Sequence, residues 1–195
     1  MLFRSENGAF LVHYSSDYVF DGIKATGLYT EEDSPNPINE YGRSKLAGEK
    51  LLAESGAEYL LFRLSWVYGK GEQNFIYKFR QWAEKSNVLK IASDEVSVPT
   101  STKTIVDITM KSIKKGLSGL YHLTNSGYAS RYEWAKEILK LTGMKNVLYP
   151  INRESFGMPA VRPYFSAMDN TPVSDKTGIE IPYWQESLKV FLTLS

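Results

Sequence analysis

Short apolar blocks alternate along this chain with longer segments in which apolar residues recur every three to four positions. Such blocks are typical of strands buried in a parallel sheet, and such periodic segments are typical of amphipathic helices. The blocks that predict strands lie at 9–15, 59–68, 88–92 and 119–124. The segments that predict helices lie at 40–55, 74–85, 102–115, 130–142 and 183–194. This alternation predicts an α/β fold with parallel strand pairing.

Polar segments rich in Gly, Pro, Asp and Asn separate these elements, and they predict loops at 21–38 and around 158–164. Asn39 and Ser130 each stand at the start of a predicted helix. Their short polar side chains are suited to cap the first helical turn. A helix that begins after Asn39 carries Tyr41 in its first turn.

Composition narrows the classes of function. The 195 residues suffice for one globular domain, and a formal net charge of +1 without a basic run argues against a nucleic-acid partner. The chain has no cysteine, which excludes disulfides, thiolate metal sites and a cysteine nucleophile and fits the cytoplasm. His13 and His122 stand alone in apolar stretches, so we expect core positions and no metal site. No apolar run approaches the roughly 18 residues of a membrane span, and residues 1–8 do not resemble a secretory signal.

Two tyrosine–lysine pairs have the spacing that places both side chains on one helix face, Tyr41 with Lys45 and Tyr132 with Lys136. An ammonium group beside a phenol stabilises the phenolate, which suits proton transfer to or from a carbonyl oxygen. Spacing alone is weak evidence, because 13 tyrosines in a lysine-rich chain produce such pairs by chance. We interpret Tyr132 and Lys136 as part of an ordinary solvated helix face.

The sequence upstream distinguishes the first pair. A predicted buried strand ends at Ser15-Ser16-Asp17, shortly before the helix of Tyr41 and Lys45. Open α/β sheets bind their ligands at the carboxyl ends of the strands. A Ser16 hydroxyl at that edge is suited to bind a substrate oxygen together with Tyr41. The sequence therefore predicts chemistry at this corner.

Three longer stretches resemble a known family: VHYSSDYVFDG at 12–22, PINEYGRSKLAGEK at 37–50 and FRLSWVYGKGEQNF at 62–75. They are similar to the motifs of the extended short-chain dehydrogenase/reductases, and within these to the dTDP-4-dehydrorhamnose reductases. Weaker similarity at 93–100, 119–127 and 161–170 extends the resemblance along essentially the whole chain. It implies NADPH- or NADH-dependent reduction of the 4-keto group of a nucleotide-linked deoxysugar, in dTDP-rhamnose biosynthesis.

The resemblance also implies roles for single residues. Tyr41 is the expected proton donor, Lys45 the expected partner of the nicotinamide ribose, and Ser16 stands where the family has a threonine. Tyr14 joins Tyr41 and Lys45 in the expected cofactor site. The expected substrate-binding residues are Ser16, Asp17, Trp66, Asn74 and Arg162.

The chain departs from the family pattern at two places. Glu95 and Ser97 replace the usual glutamine and glycine of the segment at 93–100. None of the 14 glycines forms the G-x-x-G-x-x-G turn where the backbone approaches the cofactor pyrophosphate. Gly69-Lys70-Gly71 lacks the third glycine and follows the catalytic helix.

The missing glycine turn and the short stretch before the strand at 9–15 predict one truncated reductase domain over 1–195, which lacks the first βαβαβ half. The Rossmann remainder is expected at about 1–70 and 88–116, and a sugar-nucleotide lobe at about 71–87 and 117–195. The strand at 9–15 then has an unpaired edge, so we expect a homo-oligomer or a pairing partner.

Two other functions remain open from the sequence. A non-catalytic relative of the same fold, such as the regulatory subunit of methionine adenosyltransferase, is favoured by the missing glycine turn and disfavoured by the retained Ser16, Tyr41 and Lys45. A sugar-nucleotide epimerase or dehydratase shares the tyrosine and lysine, but the stretches SSDYVFDG and RLSWVYG favour a reductase.

Overall fold

The computed structural model describes residues 9–194. The expectation that residues 1–8 are not a secretory signal lies outside this range. Strands and helices alternate along it, as predicted. The strands are β1 (Leu11–Ser16), β2 (Tyr59–Leu64), β3 (Val67–Tyr68), β4 (Val88–Ala92), β5 (Val96–Ser97), β6 (Thr100–Ser101), β7 (Gly119–His122), β8 (Ala129–Ser130) and β9 (Val147–Ile151). The helices are α1 (Glu40–Glu54), α2 (Phe75–Lys85), α3 (Thr102–Lys114), α4 (Arg131–Thr142), α5 (Thr171–Thr177) and α6 (Trp184–Thr193). A 3-10 turn, Asp17–Val19, follows β1 directly.

The central sheet has the order β1-β2-β7 and is parallel throughout. Side chains of β2 alternate between its faces: Phe62 packs with Ile108 of α3, whereas Arg63 pairs with Glu49 of α1. The sheet is therefore covered by α3 on one face and by α1 on the other. This arrangement confirms the predicted α/β class with parallel pairing.

A second apolar cluster lies outside the central sheet. It joins α2, α4, α6 and the parallel pair β4–β9 around the buried Trp134. Phe79, Ile138 and Leu188 are fully buried in it. The central sheet and this second cluster have separate apolar cores. The predicted division of the chain into a Rossmann remainder and a lobe remains a prediction.

The predicted strand over 59–68 is wrong as a single element. The backbone of Trp66 has φ +36°, a left-handed conformation that no strand accommodates. The chain therefore leaves the central sheet after Leu64 and resumes as β3, which pairs with β6. Sequence alone did not show this break, because the apolar run continues through it.

Two further differences have physical causes. β1 is less buried than predicted: Tyr14 is 38% exposed, because β1 lies at the edge of the sheet and pairs only with β2 among the described strands. β9 was not predicted, since it contains Pro150 and is mostly exposed, and it depends on β4 for its hydrogen bonds.

His122 is fully buried, as expected of a core residue. Burial lowers its pKa to about 3 and keeps it neutral.

The predicted caps are present. Asn39 accepts a hydrogen bond from the backbone N–H of Gly42, and Ser130 forms a capping box with Glu133. No helix formed by residues 9–194 combines the length and the apolar character that crossing a membrane requires.

Candidate active site

The amino-terminal turn of α1 is fixed from two sides. Asn39 Nδ2 donates to the carbonyl of Val161 over 2.8 Å, while its Oδ1 accepts from Gly42 N, also over 2.8 Å. Gly42 lies against the 3-10 turn so closely that a Cβ there would be 2.1 Å from the Tyr18 carbonyl oxygen. These contacts hold Tyr41 at the carboxyl end of β1.

Tyr41 and Lys45 lie next to each other on α1, as their spacing predicts. Lys45 Nζ is 5.8 Å from the centroid of the Tyr41 ring and donates to the carbonyl of Tyr14 over 3.3 Å. The Tyr41 ring is 53% exposed and meets the edge of the Tyr18 ring, with 5.9 Å between centroids. The phenol is therefore accessible to a ligand, and the ammonium beside it is anchored to β1.

Tyr14 contributes its backbone to this arrangement. Its side chain points to the other face of the sheet, where its hydroxyl lies 3.0 Å from Thr109 Oγ1 of α3 and its ring stacks on Phe62. The predicted contact of Tyr14 with a cofactor remains a prediction.

Ser16 and Asp17 belong to a buried serine–aspartate cluster, formed by Ser16, Asp17, Ser97 and Ser166. Ser16 Oγ donates to Asp17 Oδ1 over 3.0 Å. Ser97 Oγ and Ser166 Oγ donate to Asp17 Oδ2 over 2.8 and 2.6 Å. Ser16 Oγ also accepts from Tyr18 N over 3.2 Å. Both carboxylate oxygens are thus occupied, and the departure at Ser97 supplies one of the three donors.

Burial shifts two pKa values in this region. It raises the pKa of Asp17 more than the three serine hydroxyls lower it. It also raises the pKa of Tyr18 to about 12, with a contribution from the Asp17 charge. Tyr18 is therefore a neutral phenol beside Tyr41 across the physiological range.

A cavity of about 480 Å³ lies between α2, α4, β4 and the loop after β9. Five aromatic side chains line it: Trp66, Phe75, Trp82, Trp134 and Phe156. Its charged lining consists of Lys78, Lys90, Arg131, Arg162 and Glu95. Aromatic surface with an excess of cations suits a ligand that has a flat ring and a negative charge.

The structure places the predicted residues in two neighbouring groups. Trp66, Asn74 and Arg162 line the cavity. Ser16, Asp17, Tyr41, Lys45 and Tyr14 are not among the described residues that line it. The charge of Arg131, on the cavity wall, nevertheless acts on Asp17 and Tyr18, so the two groups adjoin.

Asn74 has a structural role whether or not it contacts a ligand. Its side chain caps α2 by accepting from Tyr77 N and donates to the carbonyls of Gly69 and Gly71. It therefore shapes the turn between β3 and α2, which forms one side of the cavity.

Trp66 lies at the break between β2 and β3, and the cationic side chain of Arg131 lies over its ring. The Arg131 guanidinium carbon lies 3.6 Å from the centroid of the Trp66 ring. Glu95 Oε2 lies 3.5 Å from Arg131 Nε and 3.4 Å from Arg162 Nη1. The buried Glu95 carboxylate thus links Arg131 to Arg162.

Sequence reasoning missed Arg131. It lies next to Tyr132, in the stretch interpreted as an ordinary helix face, and the tertiary structure alone brings it onto Trp66. Glu95 did leave a signal, since it was noted as a departure from the family. Tyr132 itself packs against the second apolar cluster.

No group of His, Asp or Glu side chains within residues 9–194 has the arrangement of a metal site. Lys45 uses one of its three N–H groups on the Tyr14 carbonyl, so its ammonium can donate to a ligand as well. The sequence supplies no glycine turn for a pyrophosphate.

Comparison with known proteins gives these features a context. The family model of the RmlD substrate binding domain matches residues 4–195. The chain is 35% identical to the spore coat polysaccharide biosynthesis protein SpsK of Bacillus subtilis, over 95% of this chain and 64% of the relative. It is 34% identical to a dTDP-4-dehydrorhamnose reductase of Burkholderia thailandensis, over 91% of this chain and 65% of the relative.

A solved structure is also similar. The dTDP-4-dehydrorhamnose reductase of Bacillus anthracis in complex with NADP superposes with a TM-score of 0.94 at 34% identity, over all of this chain and 69% of that one. The chain thus spans about 65% of the length of the two relatives named above. The motifs, the fold and the matched residues agree, and the chain belongs to the RmlD substrate-binding domain family.

Proposed function

We propose that this chain carries the proton-donating and sugar-nucleotide-binding part of an NAD(P)H-dependent reductase. Its substrate would be the 4-keto group of a nucleotide-linked deoxysugar, as in dTDP-rhamnose biosynthesis. The observation that carries the proposal is the exposed Tyr41 phenol beside the anchored Lys45 ammonium at the carboxyl end of β1. The similarity to dTDP-4-dehydrorhamnose reductases supports the substrate class.

Tyr41 would supply the proton to the ketone oxygen. Lys45 would bind the nicotinamide ribose and stabilise the phenolate that remains after proton transfer. The nicotinamide cofactor, when bound, supplies the hydride. We propose NADPH rather than NADH, because the similar Bacillus anthracis enzyme is described in complex with NADP.

Ser16 would assist at the same oxygen by donating its hydroxyl proton. In the structure that proton is directed to Asp17 Oδ1, so the Ser16 hydroxyl would have to turn from Asp17 towards the ketone oxygen when the substrate binds. Asp17, Trp66, Asn74 and Arg162 stay proposed substrate-side residues. Of these, Asp17 would act through Ser16, since its oxygens are bound by three hydroxyls.

A spectrophotometric assay tests the proposal. NADPH is titrated into the chain, dTDP-4-dehydrorhamnose is added, and the nicotinamide absorbance is followed. We expect Tyr41→Phe to lower kcat by about 100-fold or more, as for loss of a general acid. Tyr132→Phe is the matched control, because it removes the phenol of the other tyrosine–lysine pair. Turnover that survives Tyr41→Phe would contradict the proposed role.

A binding protein without catalysis is the second candidate, and the aromatic and cationic cavity, which Tyr41 and Lys45 do not line, favours it. The same titration separates the two functions. A chain that binds the sugar nucleotide but neither binds NADPH nor consumes it would be a binding protein of this fold.

A further inference from the structure

The guanidinium of Arg131 is enclosed but incompletely paired. Its carbon lies 3.6 Å from the centroid of Trp66 and 5.2 Å from the centroid of Phe75, and its one close carboxylate among residues 9–194 is that of Glu95, 3.5 Å from Nε. The structure gives its two terminal nitrogens no hydrogen-bond acceptor among residues 9–194. A guanidinium carries four N–H groups on these nitrogens, and they are normally satisfied by an acceptor or by water.

The charge of Arg131 is also incompletely balanced. Glu95 shares its carboxylate with Arg162, so two guanidinium groups are held by one negative charge. Asp17 is the next carboxylate that acts on Arg131, but its oxygens are bound by three serine hydroxyls. Burial lowers the pKa of Arg131, which reflects hydration that the protein has not replaced.

The geometry of the neighbours fixes the orientation of this cation. Trp66 stacks on one face of the guanidinium, and its left-handed backbone sets where the indole lies. Glu95 holds the Nε side, and the Arg131 backbone N–H donates to the Glu95 carbonyl over 3.1 Å. The guanidinium is therefore preorganised on the wall of the cavity, and no described residue accepts from its terminal N–H groups.

We propose that Arg131 is the anion-binding residue of the cavity and takes the diphosphate of a nucleoside diphosphate, with Trp66 and Glu95 as its positioning residues. The inference rests on the proposed function and names the part of the substrate that this residue recognises. A diphosphate offers paired oxygens, which match the fork of a guanidinium better than a single lysine does.

Equilibrium binding tests this without turnover. Thymidine diphosphate, thymidine and inorganic pyrophosphate are titrated separately, with tryptophan fluorescence as the readout, because Trp66, Trp82 and Trp134 line the cavity. Wild type is expected to bind the diphosphate more tightly than thymidine. Arg131→Met is expected to weaken diphosphate binding by about 10- to 100-fold and to leave thymidine binding nearly unchanged, since it removes charge-assisted hydrogen bonds.

Two further variants complete the test. Lys136→Met is the matched control, because it removes one positive charge from an exposed position on the same helix and is expected to change neither affinity. If Arg131→Met does not fold, Arg131→Lys serves instead. It keeps the charge but not the fork, and it is expected to lower the ratio of diphosphate to thymidine affinity.

Three results would overturn the inference. They are a wild type that binds the diphosphate no more tightly than thymidine, an Arg131 variant with an unchanged affinity ratio, and an equal loss of both ligands, which would indicate a structural role. The reductase assay is independent of these. Diphosphate binding through Arg131 without NADPH turnover would leave this inference standing and remove the proposed function, whereas turnover with an unchanged affinity ratio would do the reverse.

Discussion

A single carboxylate, that of Asp17, joins three parts of the chain that are far apart in sequence. Its oxygens accept from Ser16 at the end of β1, from Ser97 of β5 and from Ser166. Asp17 is 2% exposed, so these hydroxyls replace water as its hydrogen-bond partners. The Ser16 hydroxyl is thereby fixed beside the helix that carries Tyr41.

The raised pKa of Asp17 predicts a pH dependence of stability. The folded protein binds this proton more tightly than the unfolded chain, so protonation stabilises the fold. The contribution is fully present below the unfolded pKa of about 3.9 and is lost as pH rises through the folded value. Wild type should therefore lose stability relative to Asp17→Asn across that window, by up to about 1.4 kcal/mol per pH unit.

Urea unfolding at a series of pH values measures this difference. Asp175→Asn serves as a control, since it removes an exposed carboxylate on α5. If the stability of wild type minus that of Asp17→Asn stays constant or rises with pH, the carboxylate is not destabilised by burial.

At the scale of elements, α1 is placed by the close approach of its backbone to the 3-10 turn. The contact occurs at Gly42, next to Tyr41, where the helix lies against the carbonyl of Tyr18 and against Pro37. A side chain there has no room, because the nearest atom belongs to the backbone. The position of Tyr41 thus depends on a glycine that the sequence pattern did not single out.

Gly42→Ala and Gly48→Ala form a matched pair on α1. The first places a Cβ 2.1 Å from the Tyr18 oxygen and is expected to destabilise the protein by about 1–3 kcal/mol or more through overpacking. The second meets only His13 Nε2 at 3.9 Å and is expected to be neutral or to stabilise by up to about 1 kcal/mol, because alanine favours helices. Chemical denaturation measures both. Equal effects of the two substitutions would contradict the packing described at Gly42.

At the scale of the whole molecule, β1 is the edge strand of the central sheet among residues 9–194. Within residues 9–194 this strand is paired on one side, with β2. Phe10 and Tyr14, on or beside it, are each 38% exposed. An apolar edge strand with free backbone groups tends to pair with another chain.

We therefore expect self-association in solution. Light scattering or sedimentation should give a mass above the 22.1 kDa of one chain. Phe10→Lys should shift the equilibrium towards the monomer, since a charge beside the edge opposes pairing. A wild type that remains a monomer at high concentration would contradict this expectation.

Local signals in the sequence were sufficient for much of the fold and for the candidate acid. Apolar periodicity predicted α1, α2, α3, α4 and α6 to within about two residues, because each buries one continuous stripe. The spacing of Tyr41 and Lys45 predicted that their side chains would be neighbours, since a helix fixes that distance by itself.

Only the tertiary structure decided what depends on contacts between distant segments. Three features join residues that are well separated in sequence: the pairing of β9 with β4, the three serines around Asp17 and the contact of Arg131 with Trp66. The break at Trp66 is likewise visible only in the backbone of the folded chain. Sequence determined the elements and one pair of catalytic candidates, because these follow from local geometry. The fold determined the charge and shape of the cavity, because long-range packing decides which side chains meet.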